Sequence, residues 1–162
     1  MKEGETLLNK ILNLFKDTEV SGTVLTTKDL GPGRYIEERD LEVFVRKGND
    51  EQHLLYLKVF NGRPPYYRPW IEVFGINPDV EFFGTFIEDT VFKKLSEALG
   101  PGESIFIEYG LDHETRSALQ RGQHPEKTRL GSKLLQLGFR WFKDWYFPEG
   151  AMEGGQKLQA QK

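Results

Sequence analysis

Between Leu41 and Val59 the apolar side chains recur at every second residue. Leu41, Val43 and Val45 alternate with Glu42, Phe44 and Arg46, and Gly48-Asn49-Asp50 supplies a turn into Leu55, Leu57 and Val59. A period of two on both sides of such a turn predicts a hairpin. A proline-interrupted loop from Asn61 to Pro69 then leads to a third strand, Trp70 to Ile76, in which Gly75 marks a bulge or a close backbone approach. Upstream, Leu7, Leu8, Ile11, Leu12 and Phe15 keep helical spacing and predict an amphipathic helix that faces a core, followed by a loop at Gly31-Pro32-Gly33.

Past the third strand the punctuation changes. Thr85-Phe86-Ile87-Glu88 reads as a capping box, with Asp89 in the first turn of a helix that runs to Leu99 and stops at Gly100-Pro101-Gly102. Ser104 to Tyr109 is a short strand with Ile105, Ile107 and Tyr109 on one face, and Asp112 suits the N-cap of a short helix ending at Gly122. Pro125 opens a further helix whose inner face carries Leu130, Leu134 and Leu137 and which ends at Gly138; Arg140 to Phe147 is the closing strand. The pattern predicts an α+β fold with a mixed, largely antiparallel central sheet flanked by helices. With 162 residues, one domain spans 1–150, and the Gly- and Gln-rich tail 151–162 is expected to be mobile or loosely docked.

Composition narrows the chemistry. Twelve Phe, six Tyr and three Trp make the core aromatic, and with no cysteine there is no disulfide framework, thiolate nucleophile or Cys-based metal site. The three histidines, His53, His113 and His124, lack ligand spacing, Asp112-His113-Glu114 does not share a helix face, and no serine sits in a nucleophile elbow, so neither metal nor serine-triad chemistry is expected. The first seventeen residues are charged every few positions, which excludes a signal peptide or membrane span there and makes cytoplasmic residence the expectation. High charge with no cysteine and two methionines suits a thermophile as well as a mesophile.

Charge is unevenly placed. From Glu72 to Glu114 ten acids face two lysines, a balance of −8, whereas from Arg116 to Trp145 seven bases face two acids, a balance of +5. Such neighbours either pair with each other or leave a basic surface for an anionic ligand. Arg63, Arg68 and Trp70 offer a stacking and cationic wall for a nucleotide or acidic substrate. Between them, Pro64-Pro65-Tyr66-Tyr67 matches a short proline-tyrosine peptide but reads better as a rigid loop.

The order of helix, three-stranded meander, helix, strand, helix, strand, together with Leu134-Leu135-Gln136-Leu137-Gly138-Phe139 before an aromatic strand, resembles the GCN5-related N-acetyltransferase fold over roughly Leu41 to Phe147. Through Trp145-Tyr146-Phe147-Pro148-Glu149-Gly150 and Glu153-Gly154-Gly155 the chain also resembles an uncharacterised, mostly archaeal family of unknown function. The first resemblance implies an acyl-CoA-dependent N-acyltransferase, with acetyl-CoA or another acyl-CoA entering at the third strand by Gly75 and meeting the following helix at Gly84. In the expected phosphate loop only Gly84 fits: Glu81 and Phe86 replace a basic or amide residue and a small one, and Leu134 stands where that family carries its general-acid tyrosine.

Glu72 is then the candidate general base, because a carboxylate at a strand bulge is desolvated and accepts a proton more readily; its bland alternative is a solvent-facing strand residue. Tyr109 is the candidate replacement acid. Arg121, Lys127 and Arg129, around the start of the Pro125 helix, form a better anion site than the acidic start at Thr85. The rival expectation is a non-catalytic binding module for an anionic metabolite or nucleotide on the same scaffold, and nucleic acid is the weaker partner because the chain is acidic overall.

Overall fold

The computed structural model of the protein describes residues 6–35, 37–63, 66–148 and 155–162. The chain forms α1 (Leu7–Leu14), β1 (Thr18–Val20), β2 (Thr23–Pro32), β3 (Glu38–Lys47), β4 (Asp50–Phe60), β5 (Trp70–Phe74), α2 (Phe86–Ala98), β6 (Ser104–Glu108), α3 (His113–Gln120), a 3-10 turn at Pro125–Lys127, α4 (Arg129–Gln136), β7 (Trp141–Phe147) and β8 (Gly155–Gln161). Among the described residues the strands make one sheet in the order β1-β2-β3-β4-β5-β6-β8-β7. The pair β5/β6, joined through α2, runs parallel, and the other pairs run antiparallel. This is the α+β architecture with a mixed, largely antiparallel sheet that the period changes predict.

The two faces of the sheet differ in kind. Leu41, Val43, Leu55, Leu57, Val59, Ile71, Val73, Ile105, Ile107, Leu158 and Ala160 line one face and share a core with Leu7, Ile11, Phe15, Val91, Phe92, Leu95, Leu130 and Leu134 of the helices. Each large apolar side chain so buried contributes about 1.5–3 kcal/mol, and this layer is the main source of stability. The strand register puts Asp40, Lys58, Glu72, Phe106, Gln159 and Lys143 in one cross-strand row on the opposite face. None of that row belongs to the helix-covered core.

Local chemistry explains most boundaries. Thr6 caps α1, its side chain accepting from the Asn9 amide. Gly48, at φ +62°, turns β3 into β4. Gly138, at φ +103°, ends the α4 region, and the Phe139 amide returns to the Leu134 carbonyl at 3.1 Å.

Four sequence expectations change. The region Thr23–Pro32 is a strand that runs through Gly31-Pro32 rather than meeting a loop there; its register shifts between Asp29 and Gly31, which tolerates a proline. Pro125 opens a 3-10 turn, and α4 begins separately behind Thr128, whose hydroxyl accepts from the Gly131 amide. At Thr85 the expected capping box is displaced by one residue: Glu88 accepts from the Gly84 amide at 3.0 Å, and the Thr85 hydroxyl donates to the Phe82 carbonyl.

The largest correction concerns the tail. Residues 155–161 are not loosely docked but form β8, an interior strand between β6 and β7, with Leu158 and Ala160 fully buried. Pro64, Pro65, Glu149, Gly150, Glu153 and Gly154, which carry parts of two sequence motifs, lie outside the described residues.

Candidate functional site

Glu72 sits in the middle of β5, opposite Lys58 of β4 and Phe106 of β6. It is neither solvent-facing nor at a bulge, since β5 keeps regular register with β4 from Trp70 to Phe74. Its side chain is fully buried, and Oε1 lies 2.7 Å from Nζ of Lys157, which is also fully buried. Nζ of Lys58 is 2.8 Å from Glu38 Oε1 and 3.6 Å from Asp40 Oδ1, and Lys58 and Lys157 both stand over the Phe74 ring. A band of alternating charge therefore crosses the sheet face opposite the helix-packed core, with rings beside it.

Gly75 lies just beyond β5, where the two parallel strands part. Register with β6 ends at Val73↔Ile107, and the Gly75 amide is met at 2.9 Å by the side-chain carboxylate of Glu108. The Gly75 carbonyl faces Nε2 of His53 at 2.9 Å, and the other ring nitrogen faces Glu42 at 2.8 Å. A carbonyl only accepts, so Nε2 carries the proton of that bond. With φ at +61° and the Tyr56 ring 2.6 Å from where a Cβ would stand, this position admits only glycine. Of the two expectations for Gly75, the structure shows the close approach.

Beside it a cavity of about 590 Å³ opens between the segment after β5, the loop carrying Phe82, Phe83 and Gly84, and the start of α3 at Leu111 and His113. The Gly84 amide, a natural contact for an anion there, already binds Glu88.

Tyr109 directly follows β6, belongs to the core and is 1% exposed. Its hydroxyl donates to the Asp144 carboxylate. Burial first, and then the Asp144 charge, push the Tyr109 phenol well above the ordinary tyrosine range. The folded state thus holds this proton while an unfolded chain releases it near pH 10, so the stabilisation is present below that pH and is lost above it. Urea midpoints are expected to fall as pH rises from about 9.5 to 11. Tyr109→Phe should flatten that dependence, and an equal fall in both proteins would refute the assignment.

Arg129 does not stand free for a ligand. Its guanidinium forks onto Glu88, at 2.9 and 2.7 Å, and also reaches Asp112 at 3.0 Å. Lys133 joins Glu88 and Asp89. The bond to Glu88 is the largest of the effects that raise the Arg129 pKa further. Acidic and basic segments therefore neutralise each other here, and Glu88 is buried by being paired. Arg121 and Lys127 are exposed, and neither joins this cluster. Among the described residues no group of three or more His, Cys, Asp and Glu side chains is placed to hold a metal ion.

The family model described as "Protein of unknown function (DUF1122)" matches residues 21–162. The chain belongs to the DUF1122 family. The crystal structure of AQ1966, a protein of unknown function from Aquifex aeolicus VF5, superposes on this DUF1122 chain with a TM-score of 0.81 at 41% sequence identity, covering 96% of this chain and 77% of that one. No curated protein matches. The DUF1122 match takes in β2 to β8, and with them the Glu72–Lys157 pair, the gap at Gly75 and the Arg129 cluster. No described helix is long and apolar enough to cross a membrane.

Sequence reasoning singled out Glu72 and Gly75 but missed Lys157 beside Glu72, and Glu108 and His53 beside Gly75. Glu108 was legible as the last polar position of a strand whose other face is Ile105, Ile107 and Tyr109. His53 drew attention only for metal spacing, whereas its role is to hold a backbone carbonyl.

Proposed function

We propose that this DUF1122 domain is an acyl-CoA-dependent N-acyltransferase acting on an amine, with the acyl group at the gap where β5 and β6 part. One observation carries the reading: beyond the end of their pairing, the Gly75 amide is bonded by a side chain rather than by the next strand. A strand amide held only by a movable carboxylate can turn to a carbonyl oxygen, and the strand order supports the resemblance to the acetyltransferase fold.

The acyl end is assigned to this gap because a backbone donor and a carboxylate meet there, and the 590 Å³ cavity opens at the next residue, Ile76. When bound, the thioester supplies an activated acyl carbon. Gly75 N–H polarises its carbonyl, and the Glu108 carboxylate released from that amide takes a proton from the attacking amine. A C–N bond forms as the C–S bond breaks, and the proton leaves with the thiol. The usual phosphate loop does not fit, since Glu88 occupies the Gly84 amide; the exposed Arg121 and Lys127 are the proposed phosphate contacts. Glu72 and Tyr109, each held in an internal pair, serve as positioning groups.

The second reading, a non-catalytic module that binds an anionic metabolite or nucleotide, is favoured by that same capped amide. Titration of acetyl-CoA with an amine acceptor separates the two. Turnover that falls about 100-fold in Glu108→Gln, with the unfolding midpoint unchanged, supports the first. Binding without turnover, weakening as salt rises, supports the second. No binding of acetyl-CoA or of other acyl-CoA thioesters refutes the acyltransferase.

A further inference from the structure

The sheet face opposite the core holds a second cavity, at the opposite end of β5 from Gly75. It measures about 340 Å³ and is lined chiefly by Arg68, Trp70, Ser104, Phe106, Gln159 and Gln161. Gly75 is five positions beyond Trp70, roughly 16 Å along a strand, and the two cavities share no lining residue.

Its walls carry the Trp70 and Phe106 rings, and Arg68 is its one charged residue. Trp70 is stacked on Phe60, centroids 4.1 Å apart at 17°, which fixes the indole plane. The buried Trp70 Nε1–H has no acceptor among the described residues, although a buried indole usually finds one. The exposed Arg68 uses Nη1 to reach the Pro101 carbonyl at 3.1 Å, and no carboxylate pairs with its guanidinium among the described residues. Gln159 is oriented by its neighbours: its carbonyl accepts from Trp145 Nε1 at 2.7 Å, and its amide nitrogen faces Ser104 Oγ at 3.4 Å. Gln161 is likewise turned, its amide nitrogen donating to the Gly102 carbonyl. No acid lines the cavity.

From this pattern we infer that the cavity is a binding site for a planar aromatic anion, a ring bearing a carboxylate or a phosphate. The ring lies against Trp70 and Phe106, and the anionic oxygens accept from the exposed Arg68 guanidinium. The guanidinium fork suits either anion. The volume is at the low end for ligand pockets and suits one ring system with one acidic group, not an acyl-CoA. Of the expected cationic wall, Arg68 and Trp70 belong to the site, whereas Arg63 turns to Glu37 at 3.7 Å.

The test titrates the full chain by calorimetry with AMP and with indole-3-carboxylate, using adenosine, indole and inorganic phosphate as controls. The expected result is that at least one of the two aromatic anions binds, that each control binds at least about tenfold more weakly, and that Arg68→Gln weakens the bound probe about tenfold. Trp70→Leu removes the ring wall while leaving Arg68 in place, and should weaken binding about tenfold. Binding by AMP alone assigns a phosphate ligand, and by indole-3-carboxylate alone a carboxylate. The proposal is overturned if neither probe binds at millimolar concentration, if phosphate or the uncharged rings bind equally well, or if both variants bind as the parent does. Acyl transfer at Gly75 should be unaffected in either variant, so failure here and failure of the acyltransferase reading are separately visible.

Discussion

A chain ending at Pro148 is expected to lose cooperative folding altogether. Truncation there removes β8, which pairs with β6 on one side and β7 on the other. Strand β7 would then have no partner in the sheet, and β6 would become a raw edge with unpaired backbone groups. Two fully buried residues, Leu158 and Ala160, leave the core, and the Glu72 carboxylate loses Lys157. The last residue contributes as well: the Lys162 ammonium donates to the Ser96 and Leu99 carbonyls at the end of α2, at 2.6 and 3.2 Å, and its amide donates to the Glu103 carbonyl. A domain of this size has only about 5–15 kcal/mol to lose, and these losses together exceed it. Urea denaturation followed by circular dichroism should show no sigmoidal transition and amide NMR should show collapsed dispersion. A truncated chain unfolding at the parent midpoint would mean that β8 is dispensable.

The reason that strand escaped sequence reading is physical. Gly155-Gln156-Lys157-Leu158-Gln159-Ala160-Gln161 does alternate, but with no β-branched or aromatic residue, and Lys and Gln on its other face suggest solvent. The burial of Lys157 depends on Glu72, on a strand far away in the chain, and no local pattern encodes such a meeting. The β3/β4 hairpin was legible because strong alternation and its turn agree, as do the amphipathic pattern of α1 and the glycine turn at Gly138. Strand β2 was missed because it is weakly apolar: Leu25 alone is fully buried there. At the site, the charge imbalance between the two segments foreshadowed the pairing of Arg129 with Glu88 and Asp112. The gap at Gly75 was legible as a close approach, but the group that meets it, Glu108, is fixed by how two strands diverge.

Breaking the Glu72–Lys157 pair from one side should cost about 3–5 kcal/mol, because a buried charge then loses the ion that lies 2.7 Å from it. In Lys157→Met the carboxylate of Glu72 keeps Lys58 as its cross-strand neighbour, but that ammonium already serves Glu38 and Asp40. The competition has a visible sign. Burial would raise the Glu38 carboxyl, yet the hydrogen bond from Lys58 and the Tyr35 amide bring it below its ordinary value. Burial also raises Asp40, and there Lys58 does not overcome it. One lysine cannot neutralise three carboxylates, so Glu72→Gln and Lys157→Met should each shift the urea midpoint strongly with little change in slope. The double variant Glu72→Gln/Lys157→Met removes both charges and should recover much of the loss, giving a coupling of about 2 kcal/mol or more in the double-mutant cycle. Additive losses would show that the two side chains do not depend on each other. The double variant also separates stability from chemistry: it folds without a carboxylate at position 72. If the proposed acyltransferase reading holds, acyl transfer retained in it leaves Glu108 as the proton acceptor, whereas transfer lost in it while Glu108→Gln stays active would return that role to Glu72.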